Sequence, residues 1–331
     1  MIERIVGPLP DWAYRENPIL SYHLRGGEPG RVTRMLRGFG ITGLLALLLA
    51  GGYAYATDIF NAPAGQNLTE AANRVLFFPL VILQLFMGIM ALAYTVGTVG
   101  EEQRRVTWDN LRATPNGAGL TLRTRWISVF YRLRLLLFVV TIARLLLIFG
   151  VLRDLTAFQG RYLDLLVGGV TPNFPVTLGG IPFAVPVAAL MLSLFLTAAL
   201  LLPFTMVAFD AAIGLWFSTR FHNRAFTVVL QFLLVVLRVA AIGGLVWLTL
   251  GFADGSFSLE IGAPDWLPVQ WLVLFGMSAF ADLGTKFLHL GFAGEMWVIV
   301  PYSIFIGPLL LVFTLLQAFL ADVILKRAVA V

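Results

Sequence analysis

The chain has no cysteine among its 331 residues. That removes a disulfide framework, a thiolate metal site and a cysteine nucleophile. Histidine is nearly as scarce. His23, His222 and His289 are the only three and lie far apart, so no metal site is assigned. Lysine occurs only as Lys286 and Lys326, so the basic side chains are almost all Arg. Charge is thin overall: Asp, Glu, Lys and Arg make up 12% of the chain against 59% hydrophobic residues, with a mean hydropathy of +0.87. A soluble domain carries about 25% charged residues, so the composition points to a polytopic membrane protein. The patterns G-x-x-x-x-G-K-S/T, H-E-x-x-H and G-x-S-x-G are all missing. The first would cradle nucleotide phosphates, and the others would build a zinc or serine active site. The chain is therefore expected not to be an enzyme, to have no catalytic residues and to carry no cofactor.

What the sequence has in abundance is long apolar runs. A bilayer core about 30 Å thick needs about 20 apolar residues in helix. Six stretches meet this, at about 38–57, 75–99, 135–152, 184–213, 226–250 and 301–325. Inside lipid the backbone must satisfy its own hydrogen bonds, which leaves helix as the state of such unbroken runs. A membrane barrel would need many alternating segments of about ten residues instead. The expected fold class is an all-α polytopic membrane protein with six transmembrane helices. It divides into a cytoplasmic N-terminal segment, 1–37, with an interfacial helix, and a single transmembrane domain, 38–331. No secretory signal peptide is expected, since the first long apolar run follows 37 polar, Arg-rich residues and lacks a small-residue cleavage site.

Basic residues set the orientation. With the N-terminus inside, the cytoplasmic face receives six arginines from 1–37 and seven from the first inner loop: Arg104, Arg105, Arg112, Arg123, Arg125, Arg132 and Arg134. It also receives Arg220, Arg224, Lys326 and Arg327, while the outside keeps Arg74, Arg153, Arg161 and Lys286. This distribution predicts N-in and C-in, and it assigns the net charge of +5 to a membrane surface, not to nucleic acid. The stretch 251–300 holds apolar runs too short to span comfortably, punctuated by Asp254, Glu260, Asp265, Asp282 and Glu295. It reads as a re-entrant outer hairpin before the last span. Two additional spans would also keep the C-terminus inside.

Few polar groups fall within the runs. Arg144 and Arg238 lie mid-way along the third and fifth, Asp210 near the inner end of the fourth, and Gln84 and Gln231 in the second and fifth. A charge at the bilayer centre costs about 2.5–3.5 kcal/mol on insertion scales, so such residues usually face a bundle interior or a watery cavity. Arg144 and Arg238 either line a cavity for an anionic substrate or serve structure, by pairing with Asp210 or by reaching for headgroups.

The most polar interruption is GEEQRRVTWDNLRATPNGAG, residues 100–119. Trp108 and Leu111 are three apart and share one face of a short helix, with Asp109 and Arg112 on a neighbouring polar face. Pro115 cannot continue that helix with its normal hydrogen bond. The run Glu101, Glu102, Arg104, Arg105, Thr107, then Trp108 and Leu111, then Pro115, resembles the first inner loop of permease subunits of type-2 ATP-binding-cassette exporters. That loop carries an acidic-basic run, a Thr, an apolar helix and a Thr-Pro stop. Asn17-Pro18-Ile19-Leu20 with Arg25 is similar to the family's entry to an interfacial helix, and 208–230 to its fourth-to-fifth span turn. The short apolar elements before the sixth span are similar to its re-entrant hairpin. Where the family has Gly-Thr, this chain has Val106-Thr107.

The resemblance implies the membrane half of an ATP-driven exporter in the bacterial cytoplasmic membrane. ATP would be hydrolysed by a separate cytoplasmic ATP-binding subunit docked on the first inner loop. A second permease chain, identical or paralogous, would complete the pathway within the lipid bilayer. Two other readings stay open on the residues alone: an accessory or structural subunit of a larger membrane complex, and an ATP-independent channel or secondary transporter. Pro203 breaks the fourth run, but no partner break stands out in another half of the chain, as a repeat-built transporter would have.

Overall fold

The computed structural model describes residues 10–14, 16–25, 43, 46–52, 68–95, 98, 110–111, 113–114, 117–157, 177–178, 181–182, 185–221, 224–253, 267–280, 300 and 302–330. These form helix α1 (Pro18–Arg25), α2 (Leu68–Thr95), α3 (Gly117–Ala157), α4 (Val185–Arg220), α5 (Arg224–Ala253), α6 (Leu267–Phe280) and α7 (Ile306–Ala330). A short 3-10 turn, Asp11–Ala13, precedes α1, and another, Ser303–Phe305, leads into α7. Strands β1 (Thr177–Leu178) and β2 (Ile181–Pro182) form a small antiparallel hairpin, pairing Thr177 with Pro182 and Leu178 with Ile181. It is the one strand pairing among the described residues.

Among the described residues four helical stretches are long and apolar enough to cross a membrane: Gly117–Arg153, Pro186–Arg220, Ala225–Leu248 and Ser303–Val329. Pro79–Thr95 of α2 and Leu267–Ala279 of α6 are shorter apolar stretches. Of the first expected run, 38–57, residues 46–52 are helical and most of the rest lies outside the described residues.

The helix starts follow from local chemistry. Pro18, Pro186, Pro268 and Pro308 all sit in the first turn of their helices, where a missing N–H costs nothing and the fixed φ is already helical. Asn17 caps α1: its side-chain oxygen accepts from the backbone N–H groups of Ile19, at 3.0 Å, and Leu20, at 3.4 Å. Leu20 is then buried as α1 packs on α3. The Tyr131 hydroxyl donates to the Ala13 carbonyl at 3.0 Å, which fastens the preceding turn to the same helix.

α3 is longer than the apolar run that announced it. Its 41 residues span about 60 Å at 1.5 Å per residue, twice the hydrocarbon thickness of about 30 Å. Its first half carries Arg123, Arg125, Arg132 and Arg134, which sequence alone assigned to a loop. Helix persists there because Leu122, Val129 and Leu133 supply a buried stripe at helical spacing.

α4 is the centre of the bundle. Its most extensive packing is with α7, and the two run parallel. At one end Gly307 lies against the backbone of Met191 and Phe195, a β-carbon there being blocked by the Met191 carbonyl and by Phe195 at 3.0–3.1 Å. At the other end Ala208, Ala212 and Leu215 share a buried cluster with Ala321, Leu325 and Ala328, joined by Ala118 and Leu122 of α3. Small residues let helix backbones approach where lipid offers no hydrophobic drive to associate. A middle cluster joins α2 and α3 around Met87, Ala91, Val140 and Ala143. A third cluster gathers the starts of α4 and α7 with Met277 of α6, Ile242 of α5 and Val151 of α3.

Gly307→Val should force α4 and α7 apart and lower stability by about 1–3 kcal/mol, measured as a lower melting temperature of the detergent-purified chain. Gly243→Ala, where a β-carbon meets nothing within 4 Å, should leave the melting temperature unchanged or raised.

Candidate functional site

Arg144, Asp210 and Arg238 are charged side chains of the described bundle interior at mid-helix positions, and each has a partner within the chain; Arg125, nearer the start of α3, is buried as well. Asp210 of α4 is buried, at 2% exposure. Arg238 of α5 meets it with a two-pronged bond, Nη1 to one carboxylate oxygen at 2.5 Å and Nη2 to the other at 2.6 Å. Arg suits this role because its planar fork matches a carboxylate with two parallel bonds. The side chain of Arg238 remains 23% exposed while that of Asp210 is sealed.

A third helix makes room for the pair. A β-carbon on Gly88 of α2 would collide with the Arg238 guanidinium and would sit 2.9 Å from the Asp210 carboxylate. Gly88 is therefore a steric requirement of the ion pair. Gln84, one turn earlier on α2, is also buried.

Arg144 of α3 is held differently. It is 1% exposed and donates from Nη1 to the carbonyl of Ala199 on α4. That carbonyl is available because Pro203, four residues on, lies within α4 and has no N–H to return to it. A proline inside a membrane helix is tolerated when a neighbour takes up the freed carbonyl, and here a guanidinium does so. Nearby, Trp126 Nε1 of α3 donates to the Ala208 carbonyl at 2.9 Å. Thr205 donates to the side-chain oxygen of Gln317 on α7 at 3.0 Å. Each of the long helices α3, α5 and α7 thus reaches α4 with a polar side chain or receives one from it.

A cavity of about 250 Å³ lies beside the ion pair, between α4, α5, α6 and α7. Arg238 and Gln317 are its polar walls, and Met206, Phe209 and Phe313 are among the apolar ones. Arg144 does not line it. Gln231, two turns before Arg238 on α5, is half-buried. Among the described residues no cluster of His, Asp or Glu is able to hold a metal ion.

The polar loop is placed only at its end. Glu101, Glu102, Arg104, Arg105, Thr107, Trp108, Arg112 and Pro115 lie outside the described residues. Leu111 is half-buried and packs on the cluster formed by the start of α3 and the ends of α4 and α7. The Thr114 hydroxyl donates to the Asn110 carbonyl at 2.9 Å, and the Gly117 N–H donates to the Thr114 carbonyl at 2.9 Å, which ties Thr114 to the start of α3.

Gly88, Pro203 and Gln317 were not singled out by sequence as members of this interior. Pro203 carried the clearest signal, a helix breaker in an apolar run with an Arg one helix away. No model of a known protein family matches the chain, and no curated protein matches it.

The Arg144–Pro203 relation is open to a double-mutant cycle. Arg144→Met leaves the Ala199 carbonyl unanswered in an apolar interior and should lower stability by about 1–3 kcal/mol. Pro203→Ala gives that carbonyl its helical partner, so in the Pro203→Ala background Arg144→Met should cost measurably less. Additive melting-temperature losses would show that the two residues act independently.

Proposed function

We propose that this chain is the membrane-spanning subunit of an ATP-driven exporter of the type-2 ATP-binding-cassette class. A separate cytoplasmic ATPase docks on the loop before α3. The six-span, N-in and C-in arrangement with a re-entrant α6 belongs to this reading. The parallel course of α4 and α7 supports it, because α5, which follows α4 in the chain, runs back along it and α6 begins at the end where α7 begins. Gly276 of α6 packs on Leu245, and Ala279 lines the same cavity as Arg238, so α6 runs from that end towards the middle of the bundle.

The observation that carries the proposal is the continuity of α3. The segment with the exporter-like sequence feeds, through Leu111 and Thr114, into an unbroken 41-residue helix. That helix runs from the cluster it forms with the ends of α4 and α7, past the Tyr131 anchor and Arg144, to the cluster at the starts of α4 and α7. A push on its start is transmitted as tilt, because a packed helix moves as a rigid rod. The interior supports a two-chain pathway. Arg238 is bound to Asp210, Arg144 to the Ala199 carbonyl and Gln317 to Thr205. Each of these polar groups already has a partner inside the chain, which favours substrate movement between two permease chains over movement through one.

The experiment is co-purification in mild detergent with native partners. A subunit carrying a phosphate-binding nucleotide motif should accompany the chain. Trp108→Ala with Leu111→Ala should remove it or uncouple ATP hydrolysis from transport. An aromatic anchor at an interface centre is worth about 2 kcal/mol or more, so the docking affinity should fall at least ~30-fold. Insertion of the chain should be unaffected. Charge reversal at Arg104 should act more weakly, with an effect that shrinks in high salt. Retention of both partner and coupled activity in the double mutant would refute the docking role.

A further inference from the structure

We propose that the groove between α3, α4 and the turn preceding α1 binds an anionic phospholipid, with the headgroup at Arg134 and one acyl chain lying along α3 towards Phe204. The groove has a volume of about 500 Å³. Its lining runs along α3 from Ile127 through Tyr131 and Arg134 to Phe138 and Thr141, with Phe204 contributed by α4. The Tyr131 hydroxyl is committed to the Ala13 carbonyl, which fixes the turn preceding α1 over the groove.

Two features select the ligand class. The first is the change of polarity at Arg134. Arg134 is exposed and directly precedes the apolar run that begins at Leu135, so its guanidinium stands where headgroups meet hydrocarbon. Beyond it Phe138 is 64% exposed and Phe204 38% exposed, an apolar wall suited to an acyl chain. The second is charge. Arg134 is the one charged residue among those lining the groove, and among the described residues it has no ion-pair partner. A cation facing the headgroup layer with no acidic neighbour in the groove favours a phosphate of net negative charge over a zwitterion. The Thr141 hydroxyl donates to the Leu137 carbonyl at 2.7 Å, so it makes no polar demand on the chain beside it. The site stands independently of the exporter reading, because it uses only α3, α4 and the bound turn.

The test is thermal unfolding of the full chain in mild detergent, with added phosphatidylglycerol or phosphatidylcholine of identical acyl chains. Phosphatidylglycerol should raise the melting temperature by about 2–4 °C more than phosphatidylcholine. Arg134→Gln should abolish that difference. Thr141→Phe, which fills the apolar end and leaves every charge in place, should reduce it. Arg123→Gln, an equal loss of charge elsewhere on α3, should preserve it. Soluble glycerol phosphate should give no shift. Equal shifts from the two lipids, survival of the difference in Arg134→Gln, equal loss in Arg123→Gln, or a matching shift from glycerol phosphate would each overturn the proposal.

Discussion

The rest of this structure depends on one constraint: a polar group that enters an apolar bundle must find its partner inside the bundle. Water is not there to supply one, and the cost of an unanswered group is several kcal/mol. Asp210 obeys it through Arg238, and that bond in turn requires Gly88. The Ala199 carbonyl, released by Pro203, obeys it through Arg144. Both solutions end on α4, which is also where small residues bring α7 closest. α4 is thereby the post to which the other long helices are tied, and its proline and its carboxylate are the two fixing points.

α5 shows what the ties accomplish. It exposes Val229, Phe232, Leu233 and Leu237 along its length, and only 11% of its apolar window is buried within the chain, against 39% for each of the other three crossing stretches. Dispersion contacts hold it loosely, so the Arg238–Asp210 bond carries an unusual share of its attachment. An exposed apolar helix face is suited to lipid or to a second chain, and the proposed exporter uses both. Of the three interior charges, Arg238 and Asp210 are bound to each other and Arg144 to a backbone carbonyl.

The helices were legible in the sequence where hydropathy and helix coincide. α4, α5 and α7 follow their apolar runs closely. α3 does not: helix begins at Gly117, well before Leu135. Hydropathy reports where lipid is, whereas helix also persists outside lipid when a stripe such as Leu122, Val129 and Leu133 is buried. The three interior charges were legible as exceptions in apolar runs. A pairing of Asp210 with an interior Arg was legible as one reading, but which Arg would make it was not, because depth counted along a run does not give the rotation of one helix against another. That rotation decides that Asp210 faces Arg238, and that Arg144 faces a backbone carbonyl instead. The Asn17-Pro18 helix start was legible outright, since its hydrogen bonds are local. Of the exporter-like loop, Leu111 alone among the site residues can be placed, packed where α3, α4 and α7 meet.

The most direct measurement is a thermal-unfolding cycle on the ion pair, comparing the native chain with Asp210→Asn, Arg238→Gln and the double variant in one detergent. Either single change strands a charge in the interior and should cost about 3–5 kcal/mol. The double variant should cost clearly less than the sum, with monomer folding retained, because no charge is left unanswered. Single variants that melt like the native protein, or losses that simply add, would contradict the claim that these charges exist to hold α5 onto α4.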